Sequence, residues 1–284
     1  MEGLRIGTCS WKYPSWAGLV YSGPRPANFL EEYARKYRTV EVDQWFWSLG
    51  AESAALPRRE VVAEYDESTP ADFRFTVKCP DALTLTHHRG GKAGGLRPNL
   101  RFLDAEFFLR FLDSLAPLLP KIGLFIFQFS YLNREMMASK DRFLERLASF
   151  LDLLPARPPC AVELRNPRWL DGAFFDLLAA RGAAPVILQG YWMDDAAATI
   201  DRFADRIGAR LCLRLHGEDR EGMEERSGKS WDRIIRPKDD ELARISVSLT
   251  KVFGREIYVN VNNHYEGSAP LTIERLEARL GVPL

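Results

Sequence analysis

The stretch at residues 211–217 reads LCLRLHG, in which leucine alternates with other residues. Successive side chains of a β-strand point to opposite faces, so this stretch predicts one face of leucines and a second face that carries Arg214 and His216. A charged residue and a histidine at the end of an apolar strand have two explanations. They face solvent on an antiparallel sheet, or they face the interior of a barrel and reach a site at its mouth. The rest of the chain favours the barrel.

The composition is that of an ordinary globular protein: 284 residues, 46% hydrophobic and 27% charged. The 39 basic residues equal the 39 acidic ones, which argues against a dedicated nucleic-acid-binding protein, because such proteins usually carry a basic excess. No stretch approaches the roughly 20 apolar residues of a membrane span, and the N-terminus lacks a signal-peptide pattern. Four scattered cysteines without a CxxC pair favour a reducing compartment. We therefore expect a cytoplasmic protein with no membrane partner.

Eight short apolar segments alternate with helical patterns along the chain. Strand-then-helix order indicates a parallel sheet, and the length suits an eight-stranded (β/α) barrel of roughly 250 residues. We predict an α/β fold with a single TIM-type barrel domain over residues 1–284. A doubly wound open sheet is the alternative, but no G-x-G-x-x-G motif follows the first strand. The predicted strands are 4–9, 39–42, 73–78, 122–129, 160–164, 185–189, 210–215 and 256–261, and the helical patterns are 26–37, 104–119, 140–154, 172–182, 240–254 and 271–281.

Two connections are long, and both follow the carboxyl end of a predicted strand. They cover residues 80–101 and 217–239. In a (β/α) barrel this end carries the active site, and long loops in compact domains are often lids or binding loops. The two connections therefore indicate which end of the barrel to search for a site.

Polar residues cluster at the carboxyl ends of the predicted strands, at alternate positions. A barrel strand is covered on both faces, so a polar residue there needs a partner or a function. Taken together, the set predicts a ligand site at the mouth of the barrel. The structural alternative is an internal ion network in which Glu163 and Arg165 pair with Arg214 and Glu41. The set comprises Glu41, Asp43, Lys78, Gln128, Glu163, Arg165, Gln189, Arg214, His216, Asn260 and Asn262.

These residue types suggest acid–base chemistry on an anionic or sugar-like ligand. Two carboxylates about 5–9 Å apart hydrolyse glycosides, and Glu41 and Glu163 are placed to face each other across the mouth. His87 and His216 are candidates for proton transfer near neutral pH. We therefore assign the catalytic roles to these four residues. The predicted substrate-binding residues are Trp11, Asp43, Lys78, Gln128, Arg165, Arg214, Asn260 and Asn262; the aromatic residues Trp16, Tyr21, Trp45 and Trp47 are further candidates for stacking, or pack the loops.

A metal site is a competing interpretation of the same residues. His87, His216, Glu41, Glu163 and Asp43 are suitable ligand types for zinc or manganese. However, the sequence has four histidines in all and neither an H-x-H nor an H-E-x-x-H motif, and basic residues among the ligands disfavour a cation. We predict no metal and no cofactor.

Two hypotheses for function follow. The first is an enzyme, a hydrolase that acts on a phosphate- or sugar-containing substrate at the carboxyl-terminal mouth of the barrel. The second is a non-enzymatic protein that uses the same site to bind an anionic ligand or, weakly, a nucleic acid. We expect Arg214 to contact the anion, because the planar guanidinium suits phosphate or carboxylate. Strong salt dependence of binding without turnover would favour the second hypothesis.

Several motifs, in this order along nearly the whole chain, resemble the YecE-like proteins, a domain-of-unknown-function family with a TIM-barrel fold. The motifs are IGTCSWKYPSWAGLVY (6–21), TVEVDQWFW (39–47), FRFTVKCP (73–80) with LTH (85–87), IFQF (126–129), AVELRNPRW (161–169), LRLHG (213–217) and VNVNNHYEG (259–267). The resemblance implies a single barrel domain and does not specify an activity.

Overall fold

A computed structural model of the chain describes residues 3–46, 55–89, 95–156 and 159–281. Its eight barrel strands are β1 (Leu4–Cys9), β2 (Thr39–Val42), β3 (Arg74–Lys78), β6 (Ile122–Phe129), β7 (Cys160–Leu164), β8 (Ala184–Gly190), β9 (Arg210–Gly217) and β10 (Glu256–Val261). They close into a barrel in the order β1-β10-β9-β8-β7-β6-β3-β2, and every neighbouring pair is parallel. The predicted TIM-type barrel is therefore confirmed. Trp47 lies outside the described residues.

Helices surround the barrel. In the described ranges they are α1 (Phe29–Lys36), α2 (Arg59–Glu67), α3 (Asp81–Thr84), α4 (Ala105–Ser114), α5 (Lys140–Asp152), α6 (Gly172–Ala180), α7 (Ala196–Phe203), α8 (Arg220–Ser227), α9 (Asp239–Thr250) and α10 (Ala269–Leu280). Several begin at a side-chain cap, which satisfies backbone N–H groups that the helix itself leaves unpaired. Asn28, Asp104, Ser139 and Asp171 provide such caps for α1, α4, α5 and α6.

The alternation in residues 211–217 separates two layers of the core. Leu211, Leu213 and Leu215 belong to the large cluster between the barrel and its helices, whereas Cys212 packs inside the barrel. The barrel interior is a small apolar cluster of Leu124, Ile126, Ala161, Ala184, Val186, Cys212 and Tyr258. Arg214 and His216 therefore continue the inward-facing row toward the carboxyl end of β9, which is the second of the two explanations for this strand.

Gly123 makes room for the largest side chain in the barrel interior. A Cβ atom at this position would lie 2.2 Å from the Tyr258 hydroxyl oxygen. The tyrosine ring, which is fully buried, thus fills the space beside β6 below the polar layer. Close packing of this kind makes the barrel interior a solid core rather than a pore.

The structure contains several helices and strands that the sequence patterns did not predict. The connection 80–101 contains α3 and an antiparallel hairpin of β4 (His87–Arg89) and β5 (Leu96–Pro98), and the connection 217–239 contains α8. The pattern fails for α8 because the helix is mainly polar and has little apolar periodicity. Its local signal is the cap instead: the Asp219 carboxylate accepts a hydrogen bond from the Gly222 N–H at 2.9 Å. Among the described residues, no helix combines the length and the apolar character needed to cross a membrane.

Candidate functional site

Arg214 lies at the centre of the polar layer that closes the barrel interior. Its Nε donates to Glu41 Oε2 at 2.8 Å and its Nη2 donates to Glu41 Oε1 at 2.7 Å. Its Nη1 donates to Glu163 Oε2 and, at 3.3 Å, to Gln128 Oε1. The three charged side chains are each 1% exposed. Arg214 is thus bound to two carboxylates of the protein, a different set of partners from the anion that we expected.

Arg165 extends the network toward the mouth. Its Nε donates to Glu163 Oε1 at 2.7 Å and its Nη2 donates to Gln128 Oε1 at 3.0 Å. Its guanidinium also lies over the Tyr191 ring, 4.8 Å from the centroid. Gln128 and Glu163 are paired positions on the neighbouring strands β6 and β7, so their side chains lie close enough for Arg165 to bind both.

Asn260 supports Glu41 from below. Its amide donates to Glu41 Oε2 at 3.0 Å and to the Thr76 hydroxyl at 2.9 Å, and it is fully buried. It is paired with Arg214 in the register of β10 and β9. The geometry therefore contains the ion network that the sequence left as an alternative, and the predicted ligand residue Asn260 lies within its supporting layer.

Charge within this network fixes the protonation of Glu163 and Arg214. Burial alone would raise the pKa of Glu163, but the charges of Arg214 and Arg165 outweigh burial and lower this pKa to about 2. Burial alone would lower the pKa of Arg214, but Glu163 and Glu41 raise it well above its usual value. Glu163 is therefore a fixed anion near neutral pH, which suits it to hold charge and not to donate a proton.

A cavity of about 400 Å³ opens above the network at the carboxyl end of the barrel. In this fold the carboxyl ends of the strands are where active sites form. The cavity is predominantly polar, since both signs of charge, histidines and tyrosines line it. Its lining consists of Cys9, Tyr13, Glu41, Asp43, Phe46, Lys78, Asp81, Leu85, Gln128, Ser130, Arg165, Tyr191, Arg214, His216, Arg220, Asn262 and His264.

Lys78 brings a positive charge to this cavity, where the charges of Glu41, Glu163 and Asp43 act on it without a direct salt bridge among the described residues. Its Nζ lies over the face of the Phe46 ring, 3.7 Å from the centroid, and the residue is 8% exposed. Within the described part of the chain it has no salt bridge closer than 4.0 Å. Burial first, and the charge of Arg214 second, lower the pKa of Lys78 to about 8.

Asp43 and His216 line the same cavity. Burial and the neighbouring charge of Glu41 raise the pKa of Asp43 above its usual value. Burial and the charge of Arg214 lower the pKa of His216 well below its usual value, so this imidazole is neutral near pH 7. The pKa of Asp43 is thus shifted toward neutral pH, whereas the pKa values of Glu163 and His216 are shifted away from it.

Cys9, Glu41 and His216 are the described residues that come closest to a metal-ligand set. One ligand atom from each lies within 4.8 Å of the others. The Cys9 Sγ is 3.6 Å from His216 Nε2 and 3.8 Å from Glu41 Oε2. However, Arg214 and Asn260 already donate to that same carboxylate oxygen, and a guanidinium beside the site repels a cation. The trio therefore does not form a prepared metal site.

Three residues that we predicted to lie at the mouth of the barrel lie elsewhere in the structure. His87 is on the hairpin strand β4, where its Nδ1 is 3.0 Å from the Thr86 hydroxyl oxygen; Trp11 is buried edge-on against Tyr65. Neither is among the described residues that line the cavity. Gln189 does not face the barrel axis. It points to the helices, where it donates to Glu241 at 2.7 Å and accepts from the Ala196 N–H at 2.7 Å.

The cavity also contains residues that the sequence analysis did not identify. Tyr13, Tyr191 and His264 follow β1, β8 and β10, so extending the strand-end rule by a few residues would have found them. Arg220 comes from α8, which no pattern predicted. Arg220 and His264 meet on Glu224: the Arg220 Nε is 2.8 Å and the His264 Nε2 is 3.1 Å from Glu224 Oε1. They form the outer rim of the cavity.

Comparison with known proteins identifies relatives whose names carry no activity. The chain is 32% identical over 168 residues to "UPF0759 protein YecE" of Escherichia coli K12; this match covers 58% of the chain and 50% of that relative. It is 24% identical over 257 residues to "UPF0759 protein YunF" of Bacillus subtilis 168, which covers 84% of the chain and 82% of the relative. The chain thus spans about half the length of the E. coli relative it matches.

Solved structures agree on the fold. A DUF72 family protein of Enterococcus faecalis V583 superimposes with a TM-score of 0.69 at 21% identity, covering 99% of this chain and 96% of that one. A DUF72 family protein of Thermotoga maritima MSB8 superimposes with a TM-score of 0.64 at 21% identity, covering 96% of each chain. The family model described as "Protein of unknown function DUF72" matches residues 5–283. The resemblance to YecE-like proteins is therefore confirmed, and the chain belongs to the DUF72 family.

Proposed function

We propose that the cavity is the active site of a hydrolase-type enzyme that acts on a small phosphate- or sugar-containing substrate. One observation carries the proposal: a carboxyl group with a raised pKa, Asp43, lines the same polar cavity as the cations Lys78 and Arg165. A proton donor beside anion-binding groups is the arrangement that hydrolysis of a phosphate or glycosidic bond requires.

The two types of residue have separate roles in this proposal. Lys78 and Arg165 contact the anionic or hydroxyl groups of the substrate, and Asn262 adds an amide for hydrogen bonding. Asp43 protonates the leaving oxygen and then accepts a proton from the attacking water. Glu41, Arg214 and Glu163 form the floor of the cavity and set its electrostatic potential. Glu163 does not exchange protons, because its pKa is about 2.

The test is a hydrolysis assay with aryl phosphate monoesters, phosphodiesters and aryl glycosides that release a coloured phenol. We expect turnover of at least one class by the wild type and a loss of about 10²–10⁴-fold in Asp43→Asn, the usual contribution of a general acid or base. Asp72→Asn is the matched control, because Asp72 is exposed and precedes β3 at the opposite end of the barrel. Equal turnover in Asp43→Asn and the wild type would exclude this role for Asp43.

A second candidate function rests on a groove beside the cavity. This groove, about 1010 Å³, is formed by the segments that follow β6, β7 and β8. Aromatic rings and cations line it, a combination that binds single-stranded nucleic acids or other polyanions by stacking and charge. The relevant residues are Tyr131, Trp169, Arg134, Lys140, Arg168 and Arg202. Binding of an oligonucleotide that weakens steeply with salt, in a protein without turnover, would favour this candidate.

A further inference from the structure

The ammonium group of Lys78 differs from the other cations at the mouth because it forms no salt bridge with a carboxylate in the part of the chain that the structure describes. Arg214 binds Glu41 and Glu163, and Arg165 binds Glu163. Among the described residues, the partner of the Lys78 Nζ is the Phe46 ring, at 3.7 Å. An aromatic face attracts the ammonium but cannot take a proton from it or hold it by a hydrogen bond to a carboxylate, and Lys78 also lines the cavity.

The surroundings of Lys78 favour its neutral amine. The side chain is 8% exposed at the end of β3, so the ammonium loses most of its hydration. Arg214 adds repulsion between like charges. Burial and this repulsion together outweigh the attraction of Glu41, Glu163 and Asp43, and the pKa of Lys78 falls to about 8. A neutral lysine in a partly dehydrated cavity is the form that attacks carbonyl groups, whereas an ordinary surface lysine is almost entirely protonated at this pH.

We propose that Lys78 is a covalent nucleophile that forms an imine with an aldehyde or ketone bound in the mouth cavity. The inference rests on the proposed function in one respect, namely that the cavity is a substrate site. It names a carbonyl group as part of the substrate class, and it replaces the cationic contact of Lys78 with a covalent one made by the neutral amine. An open-chain sugar or a short oxo-acid, with or without phosphate, has this chemistry.

The step balances without an oxidant or reductant. The neutral Nζ adds to the carbonyl carbon, a C–N bond forms, and the carbonyl π electrons move to oxygen, which takes up a proton. The added nitrogen gives one proton to a carboxylate or to water. The hydroxyl group then leaves as water, and the C–O bond breaks while the C=N bond forms. Asp43 lines the same cavity and supplies the proton for this departure.

The rest of the cavity suits such a substrate. A volume of about 400 Å³ accommodates a compound of a few carbon atoms, including its hydroxyl groups. Arg165 follows β7 and Arg220 lies on the rim of the cavity. The anionic end of a substrate can therefore contact one of these guanidinium groups while its carbonyl group reaches Lys78. The substrate would then be oriented at both ends, as an addition reaction requires.

The test is reductive trapping of the full-length protein with sodium cyanoborohydride, which converts an imine into a stable secondary amine. The probes are glyoxylate and glyceraldehyde 3-phosphate, and peptide mass mapping locates the adduct. Near pH 8 we expect Lys78 to be labelled at least about tenfold faster than Lys229, whose side chain is 75% exposed, because far less of an ordinary lysine is neutral at that pH. The labelling rate of Lys78 should level off above pH 8.

Labelling of Lys229 and other exposed lysines at the same or a greater rate, with no adduct on Lys78, would overturn the proposal. Because the wild-type protein is labelled, the result does not depend on whether a Lys78 variant folds. Lys78→Arg provides a further check. The total amount of adduct on this variant should be lower than on the wild type by the amount that the wild type carries on Lys78. The hydrolysis assay runs in parallel. Hydrolysis without a Lys78 adduct would overturn the imine proposal and leave the proposed hydrolase function standing. A Lys78 adduct without hydrolysis would support the imine proposal and overturn the hydrolase function.

Discussion

Arg214 and Glu41 form an ion pair with two parallel hydrogen bonds, 2.7 and 2.8 Å long, in which both side chains are 1% exposed. Strands β9 and β2 are not neighbours in the barrel, so this pair crosses its interior. Glu163 binds the same guanidinium from a third strand. The polar layer beneath the cavity therefore connects strands on opposite sides of the barrel, and it also provides charge to the floor of the cavity.

Replacing Arg214 by methionine should destabilise the protein by about 3–5 kcal/mol, because the change leaves two buried carboxylates without their cation. The free energy of unfolding in urea measures this. Arg142→Met is the matched control: Arg142 is 60% exposed on α5 and pairs with Glu145, so its loss should cost less than about 1 kcal/mol. Normal stability of Arg214→Met together with loss of anion binding would instead support the direct ligand contact that the sequence suggested.

Glu163 should make the stability of the protein sensitive to acid. Its pKa is about 2 in the folded protein, against an ordinary value of 4.5, so its contribution to stability is complete above pH 4.5 and is lost as the pH falls toward 2. Unfolding free energies measured across this range should decline more steeply for the wild type than for Glu163→Gln. Parallel curves would show that the carboxylate is not held by Arg214 and Arg165 in solution.

The sequence predicted much of this layer because of simple geometry. In a parallel barrel all carboxyl ends converge, so alternate polar residues near those ends must lie close together. This places Glu41, Glu163, Arg214 and Gln128 in one layer. The rule failed for Gln189, which has the opposite phase on β8 and caps the N-terminal region of α7.

The choice of partners could not be predicted from the sequence. It depends on register, such as the pairing of Asn260 with Arg214 and of Gln128 with Glu163, and register requires the closed barrel. The position of His87 depends on the hairpin of β4 and β5, which lies in a connection without an apolar pattern. The alternating pattern of a strand predicts which face each side chain points to. It does not predict which residue of a neighbouring strand that side chain contacts.

Lys78 should reduce the stability of the protein. Its buried ammonium forms no salt bridge with any carboxylate of the described residues, so Lys78→Met should raise the free energy of unfolding by about 0.5–2 kcal/mol at neutral pH. The pKa of Lys78 is lowered from 10.5 to about 8, so the cost applies fully below pH 8 and disappears as the pH rises toward 10.5. The gain of the variant over the wild type should therefore narrow above pH 8. A less stable Lys78→Met would mean that the contact with Phe46 outweighs the loss of hydration.

Gly217 has a backbone requirement that positions the cavity wall. Its φ is +79°, and a Cβ atom would lie 2.4 Å from the His264 carbonyl oxygen. Gly18 has nearly the same φ, +80°, and no atom of the described residues lies within 4 Å of its Cβ position. Thermal or urea unfolding should show a cost of about 1–2 kcal/mol for Gly18→Ala from backbone conformation alone, and a larger cost for Gly217→Ala. Equal costs would indicate that the segment around His264 shifts freely.

Arg165 is the guanidinium best placed to bind an anion in the cavity. Its Nε and Nη2 are engaged by Glu163 and Gln128, but within the described ranges its Nη1 makes no hydrogen bond, and the side chain is 13% exposed. Arg165→Met should therefore weaken phosphate binding by about 1.5–3 kcal/mol, the scale of a hydrogen bond to a charged group. Isothermal titration with phosphate measures this, and a thermal melt checks folding. Arg168→Met is the matched control, because Arg168 lines the neighbouring groove and not the described wall of the cavity. If Arg168→Met loses affinity and Arg165→Met does not, the anion binds in the groove, and the mouth cavity has a different ligand.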